Sequence, residues 1–152
     1  MIRFANPTAD LFVPADSEPV QALGRTTHLG VGAHQDDLEV MALHGILACY
    51  KQPQKWFGGV TVTNGAGSSR TNEYADYTDE QMQDVRAEEQ RKAAVVGEFG
   101  FVAQLGYPSS TVKQPGNNDF AADLRTILAA TKPEVVYTHN LADKHDTHVA
   151  VV

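Results

Sequence analysis

Four short apolar runs decide most of what this chain can fold into: THLGVGA (27–33), WFGGVTVT (56–63), FVAQLG (101–106) and EVVYTH (134–139). Each has the length and the polar or glycine-rich flanks of a buried strand. The stretches between them read as helices. DLEVMALHGILACYK (37–51) is largely apolar; Thr78 and Gln81 form a capping box for a helix running to about Glu98, where Gly97 and Gly100 supply the stop; and Asn118 caps DFAADLRTILAA (119–130). Strands that alternate with helices imply an α/β fold: a Rossmann-like three-layer sandwich whose mainly parallel sheet is covered on both faces. Right-handed crossovers favour the order 3-2-1-4 for these four strands.

The first 25 residues carry the Pro and Asp breakers of NPTADLFVPADSEP and are expected to form an irregular arm ahead of one domain at 26–152. At 152 residues and 42% hydrophobic content, the chain is long enough to bury a core and short enough for a single domain. NGAGSSRTNEYADY (64–77) reads as a polar loop longer than most connections, which points to a functional or mobile segment, and YPSSTVKQPGNN reads as another loop. Twelve Lys+Arg against nineteen Asp+Glu give a net charge of -7, which disfavours nucleic acid and anionic membranes as partners. No basic patch offsets it, since Arg86, Arg91 and Lys92 lie among acidic neighbours as a solvated helix face. The single cysteine, Cys49, cannot form an internal disulfide, and no leader or long apolar span is visible, so the expected location is the cytoplasm.

In a sheet of this order the winding reverses between the first and fourth strands, and ligands bind outside their carboxyl ends. AHQDD (33–37) leaves the first strand at that edge, and THNLADKHDTH (138–148) leaves the fourth. The first stretch offers His34, Asp36 and Asp37; the second offers His139, Asp143, His145, Asp146 and His148. Imidazole with carboxylate suits Zn²⁺, and a catalytic zinc keeps three protein ligands with a fourth position open. A cation also accounts for two adjacent carboxylates, one binding it and the other taking a proton from the water it acidifies. Plainer readings stand beside this one. An Asp-Asp pair after a strand commonly caps a helix, and His145 with His148 has the spacing of a polar helix face. His28 and His44 read as hydrogen-bonded structural histidines, and Met41, Leu47 and Cys49 as helix core. TNGAG (63–67) lacks the Lys-Ser/Thr and the following helix of a phosphate loop.

At these residues the chain resembles the PIG-L/LmbE-like family of zinc-dependent N-acetyl sugar deacetylases. The family's AHPDD motif is similar to AHQDDLEVMALHGILA (33–48), with Gln35 for proline, and its HNPxDxHxDH motif to HNLADKHDTH (139–148), with Leu141 for proline and Thr147 for aspartate. TNGAG, RAEEQRKAA (86–94), LGYP (105–108) and PEVVYTHN (133–140) follow in the family's order, so the resemblance covers 27–152. It implies metal ligands at His34, Asp37 and His148, a general base at Asp36, a catalytic histidine at His145 and a sugar-contacting arginine at Arg86. Thr147 replaces the aspartate that would orient His145, and Asp143 or Asp146 are the available substitutes.

The activity so implied is removal of an acetyl group from the nitrogen of an N-acetylated amino sugar or glycoconjugate, with Zn²⁺, or another divalent metal such as Fe²⁺, as cofactor. Asp36 takes the proton of the attacking water, the metal and protonated His145 stabilise the oxyanion, and Asp36 or His145 protonates the leaving amine. The implied partner is a small-molecule sugar, and a homo-oligomer is compatible with it. The alternatives are hydrolysis of another amide or an ester at the same site, or a non-catalytic metal- or ligand-binding homologue. The chain ends four residues past His148, where relatives continue with further sheet, so a C-terminally truncated domain, marginally stable alone, is expected.

Overall fold

The computed structural model describes residues 2–15, 17–117 and 119–152. Five strands hydrogen-bond into one sheet: β1 (Asp10–Phe12), β2 (His28–Gly32), β3 (Phe57–Thr63), β4 (Phe101–Tyr107) and β5 (Val135–Tyr137), in the order β1-β4-β3-β2-β5. β2 pairs in parallel with β3 on one side and β5 on the other, with His28 opposite Phe57 and Val135. β3 and β4 are also parallel, whereas β1 runs antiparallel to β4 with Leu11 opposite Ala103.

The four expected strands keep the expected order, as β4-β3-β2-β5, and the sheet departs from the reading by one added strand at its edge. Residues read as an irregular arm supply β1 and the helix α1 (Pro19–Gly24), so the sheet gains an antiparallel edge strand beside β4. The reason is local: DLF sits between proline breakers but carries two apolar side chains, Leu11 and Phe12, that pack against the core on either side of the sheet. The arm is tied down further by Asp123, 2% exposed, which accepts the amide of Ala5 at 2.6 Å and the hydroxyl of Tyr107 at 2.7 Å.

Two apolar clusters cover the two faces. Leu29, Val31, Val60, Val62, Ala103 and Leu105 meet α1, α5 (Ser109–Val112), α6 (Asp119–Thr131) and α7 (Asp146–Val151) on one side. On the other, Phe57 and Val102 meet α2 (Asp37–Met41), α3 (Leu43–Cys49) and α4 (Asp79–Val96). The single helix expected over 37–51 is therefore two segments. Ala42 leaves helical geometry (φ -111°, ψ 15°), and the second segment packs Gly45 against the Tyr137 ring, where a β carbon would lie 2.5 Å away. Cys49 is buried as expected, but Leu47 is 60% exposed and is not core.

The capping box of Thr78 and Gln81 starts α4, and the left-handed residue at its end is Glu98 (φ 52°) rather than a glycine. Residues 109–112, read as loop, form α5, and the expected Asn118 cap lies outside the described residues. Arg91 is not merely solvated, since it pairs with Asp10 of β1 at 2.7 Å. Among the described residues no helix is long and apolar enough to cross a membrane.

Candidate metal centre

β2 ends at Gly32, where a β carbon would fall 2.9 Å from that of Asp37; its absence lets the start of α2 close over the strand end. The turn between them places Asp36 in the left-handed region (φ 82°), a conformation that aspartate tolerates better than most residues. Asp36 is the N-cap of α2, yet its side chain makes no capping bond. The Asp37 carboxylate accepts the His34 amide at 2.6 Å instead, so neither side chain serves the capping role that a plain reading of the pair assigns.

The second stretch enters beside it from the neighbouring strand. His139, 8% exposed and just past β5, accepts the Ala33 amide at 2.9 Å through Nε2, which joins the two carboxyl-terminal strand ends directly. Asp143 accepts the His145 amide at 2.8 Å, and α7 then begins with His148 in its first turns. Buried Thr147 and Val151 seat that helix on the molecule.

Together these elements bring the donors of His34, Asp37 and His148 into one small space. His34 Nδ1 lies 3.2 Å from His148 Nε2 and 3.3 Å from Asp37 Oδ2, while His148 Nε2 lies 3.4 Å from Asp37 Oδ1. Donor atoms bonded at about 2.0–2.1 Å in a tetrahedral shell stand roughly 3.3–3.4 Å apart, and each pairwise spacing here is close to that, with Asp37 meeting His34 through Oδ2 and His148 through Oδ1. His148 Nδ1 faces Asp143 Oδ2 at 3.0 Å, so its proton sits there and its Nε2 lone pair faces the cluster, the arrangement that supports an imidazole bound to metal. His139 Nε2 adds a further contact to Asp37 Oδ2 at 3.2 Å. Sets of three donors that could hold an ion are His34, His145 and His148, and Asp37, His139 and His148.

The electrostatics favour an anion at Asp37. Burial alone would raise its pKa, but the contacts with the His139 and His34 rings and the hydrogen bond from the His34 amide outweigh that and hold the carboxyl well below the usual range. At His145 burial lowers the pKa, and the charges of His148 and His34 lower it further, against the opposing charges of Asp37 and Asp143.

Asp36 does not join the donor cluster. Its carboxylate is 69% exposed and pairs with Arg86 at 2.8 Å, and the same guanidinium donates to the Gln35 carbonyl at 2.7 Å and pairs with Glu89. Asp36, Arg86, His34, His145 and His148 nevertheless line one cavity of about 620 Å³. The long polar loop contributes Ser68, Ser69 and Tyr74 to its wall, and α5 with the residue after it contributes Ser109 and Lys113. Gly65 (φ 78°) makes the turn into that loop, where a β carbon would lie 2.8 Å from the Arg86 β carbon.

Asp143, a candidate for orienting His145, meets the His148 ring and the His145 backbone. His28 has a Thr27 partner at 2.9 Å, and His44 packs edge-on against Tyr137, which leaves both away from the cluster. The sequence reading left His139 without a role, although its place at the head of HNLADKHDTH was a signal; the cavity residues of α5 gave none.

The model of the PIG-L family, described as GlcNAc-PI de-N-acetylase, matches residues 29–152. No curated protein and no solved structure matches the chain significantly.

Proposed function

The chain belongs to the PIG-L family, and on that premise we propose that it is a zinc-dependent hydrolase that removes the acetyl group from the amide nitrogen of an N-acetylated amino sugar or glycoconjugate. The observation that carries the reading is the convergence of His34, Asp37 and His148, with donor spacings of 3.2 to 3.4 Å, beside a cavity of about 620 Å³ that both Asp36 and Arg86 line.

In this reading His34, Asp37 and His148 hold the ion, and Asp143 fixes the His148 tautomer. Zinc bound there supplies a Lewis acid for an acyl carbonyl and makes a water molecule more acidic. Asp36 takes the proton of the attacking water and returns it to the leaving nitrogen. Its pairing with Arg86 keeps a cation beside the carboxylate, and Arg86, lining the same cavity, contacts the sugar. His145, packed on His148 with ring centroids 4.4 Å apart and on His34 at 4.9 Å, donates a ring N–H toward the oxyanion, which a neutral imidazole can do.

The test is acetate release from N-acetylglucosamine conjugates, other N-acyl amides and acetate esters, with and without added Zn²⁺. Zinc-dependent release confined to the N-acetylated sugars supports the proposal. Release only from other amides or esters moves the substrate class, and tight zinc binding without turnover on any of them makes the chain a binding homologue.

A further inference from the structure

The AHQDD turn is held from α4 at a single peptide plane. Arg86 donates to the carbonyl of Gln35, and Gln90, one helical turn on, accepts the amide hydrogen of Asp36 through Oε1 at 3.2 Å. These are the two ends of the peptide between Gln35 and Asp36, so the plane cannot flip without breaking both bonds. The other end of the Gln90 amide is also spent on this segment, since Nε2 donates to Glu39 Oε1 at 2.8 Å. Gln90 is 1% exposed, and a buried amide with no water to fall back on is costly unless both ends are bonded. It does not line the large cavity, and the smaller one that it lines, of about 140 Å³, is shared with Asp36, Glu39 and Arg86, the residues of the turn and its clamp.

We propose that Gln90 is a positioning residue that fixes the left-handed Asp36 and thereby aims its carboxylate; this rests on the reading of Asp36 as the base. A glutamine suits the task because one planar group offers an acceptor to the Asp36 amide and a donor to Glu39, and so locks the turn to the first turn of α2. An apolar side chain of the same length fills the space and leaves the peptide free to rotate.

Three variants of the zinc-loaded protein test this: Gln90→Met, Gln90→Glu, and the exchanged pair Glu39→Gln with Gln90→Glu, which swaps acid and amide and keeps an acceptor for the Asp36 amide. Two readouts are needed, kcat and KM for acetate release, and hydrogen exchange of the Asp36 amide followed by NMR without substrate. Gln90→Met should lower kcat by about tenfold to a hundredfold with little change in KM, and should speed exchange at Asp36. The exchanged pair should recover both relative to Gln90→Glu alone. Wild-type kcat and unchanged exchange in Gln90→Met overturn the proposal, as does a folded exchanged pair no better than Gln90→Glu. If Gln90→Met fails to fold, the second comparison decides alone. Asp36→Asn separates the two readings: if it keeps full turnover, the base assignment falls and the proposal with it, whereas loss of turnover in Asp36→Asn but not in Gln90→Met removes only the positioning role.

Discussion

The Asp37 carboxylate stands 3.2 to 3.4 Å from ring nitrogens of His34, His139 and His148, while that of Asp36, one position earlier, is 69% exposed and paired with Arg86. Asp37→Ala should accordingly lose the metal, whereas Asp36→Asn should keep it and lower turnover by about a hundredfold or more, the scale of losing a general base; metal content and kcat on the two variants check this. Asp143→Ala should weaken zinc affinity by about 10- to 100-fold, because it frees the His148 ring without removing a donor. The depressed pKa of Asp37 sets a pH dependence with a definite sign. Its hydrogen bonds stabilise the metal-free fold fully above about pH 4, the ordinary carboxylate value, and that stabilisation is lost as the pH falls below it. Urea unfolding of metal-free protein between about pH 4 and 2 should show a steeper loss for wild type than for Asp37→Asn. At this scale the sequence marked the residues better than their contacts. HNLADKHDTH placed Asp143 near two histidines, but which imidazole it meets depends on the turn before α7, and spacing alone does not encode that turn.

At the scale of elements, the strands and the α4 capping box were legible because apolar runs and Thr-x-x-Gln are local signals. The break at Ala42 was not, since the apolar periodicity runs through it and the packing of Gly45 against the Tyr137 ring that follows it is a contact distant in sequence. β1 was hidden for a similar reason, a three-residue strand among prolines that forms because β4 offers it an edge. The loop after β3 gives an element-scale test. Gly65→Ala places a β carbon at φ 78° against Arg86 and should destabilise by at least about 1–2 kcal/mol, while Gly67→Ala, with open space around it, should change stability far less. Thermal melts of the two variants compare them directly, and acetate release from Gly65→Ala should fall as well if Arg86 is displaced.

For the whole molecule, what matters is that β5 lies beside β2 in parallel, because that pairing alone brings residues 33–37 and 139–148 to one edge. The alternation of strands and helices made the neighbourhood of these two strands readable from sequence, and with it the meeting of the two polar stretches. It did not reveal the cavity wall built by the 64–77 loop and α5, which depends on how each loop folds back. The proposed function requires one ion held jointly by donors that the fold gathers from both stretches. Calorimetric zinc titration of the wild-type chain beside His34→Ala and His148→Ala tests it most directly. One zinc per chain in wild type, with affinity lost in each variant, is expected; a variant from either stretch that binds zinc as tightly as wild type would rule out a jointly held ion.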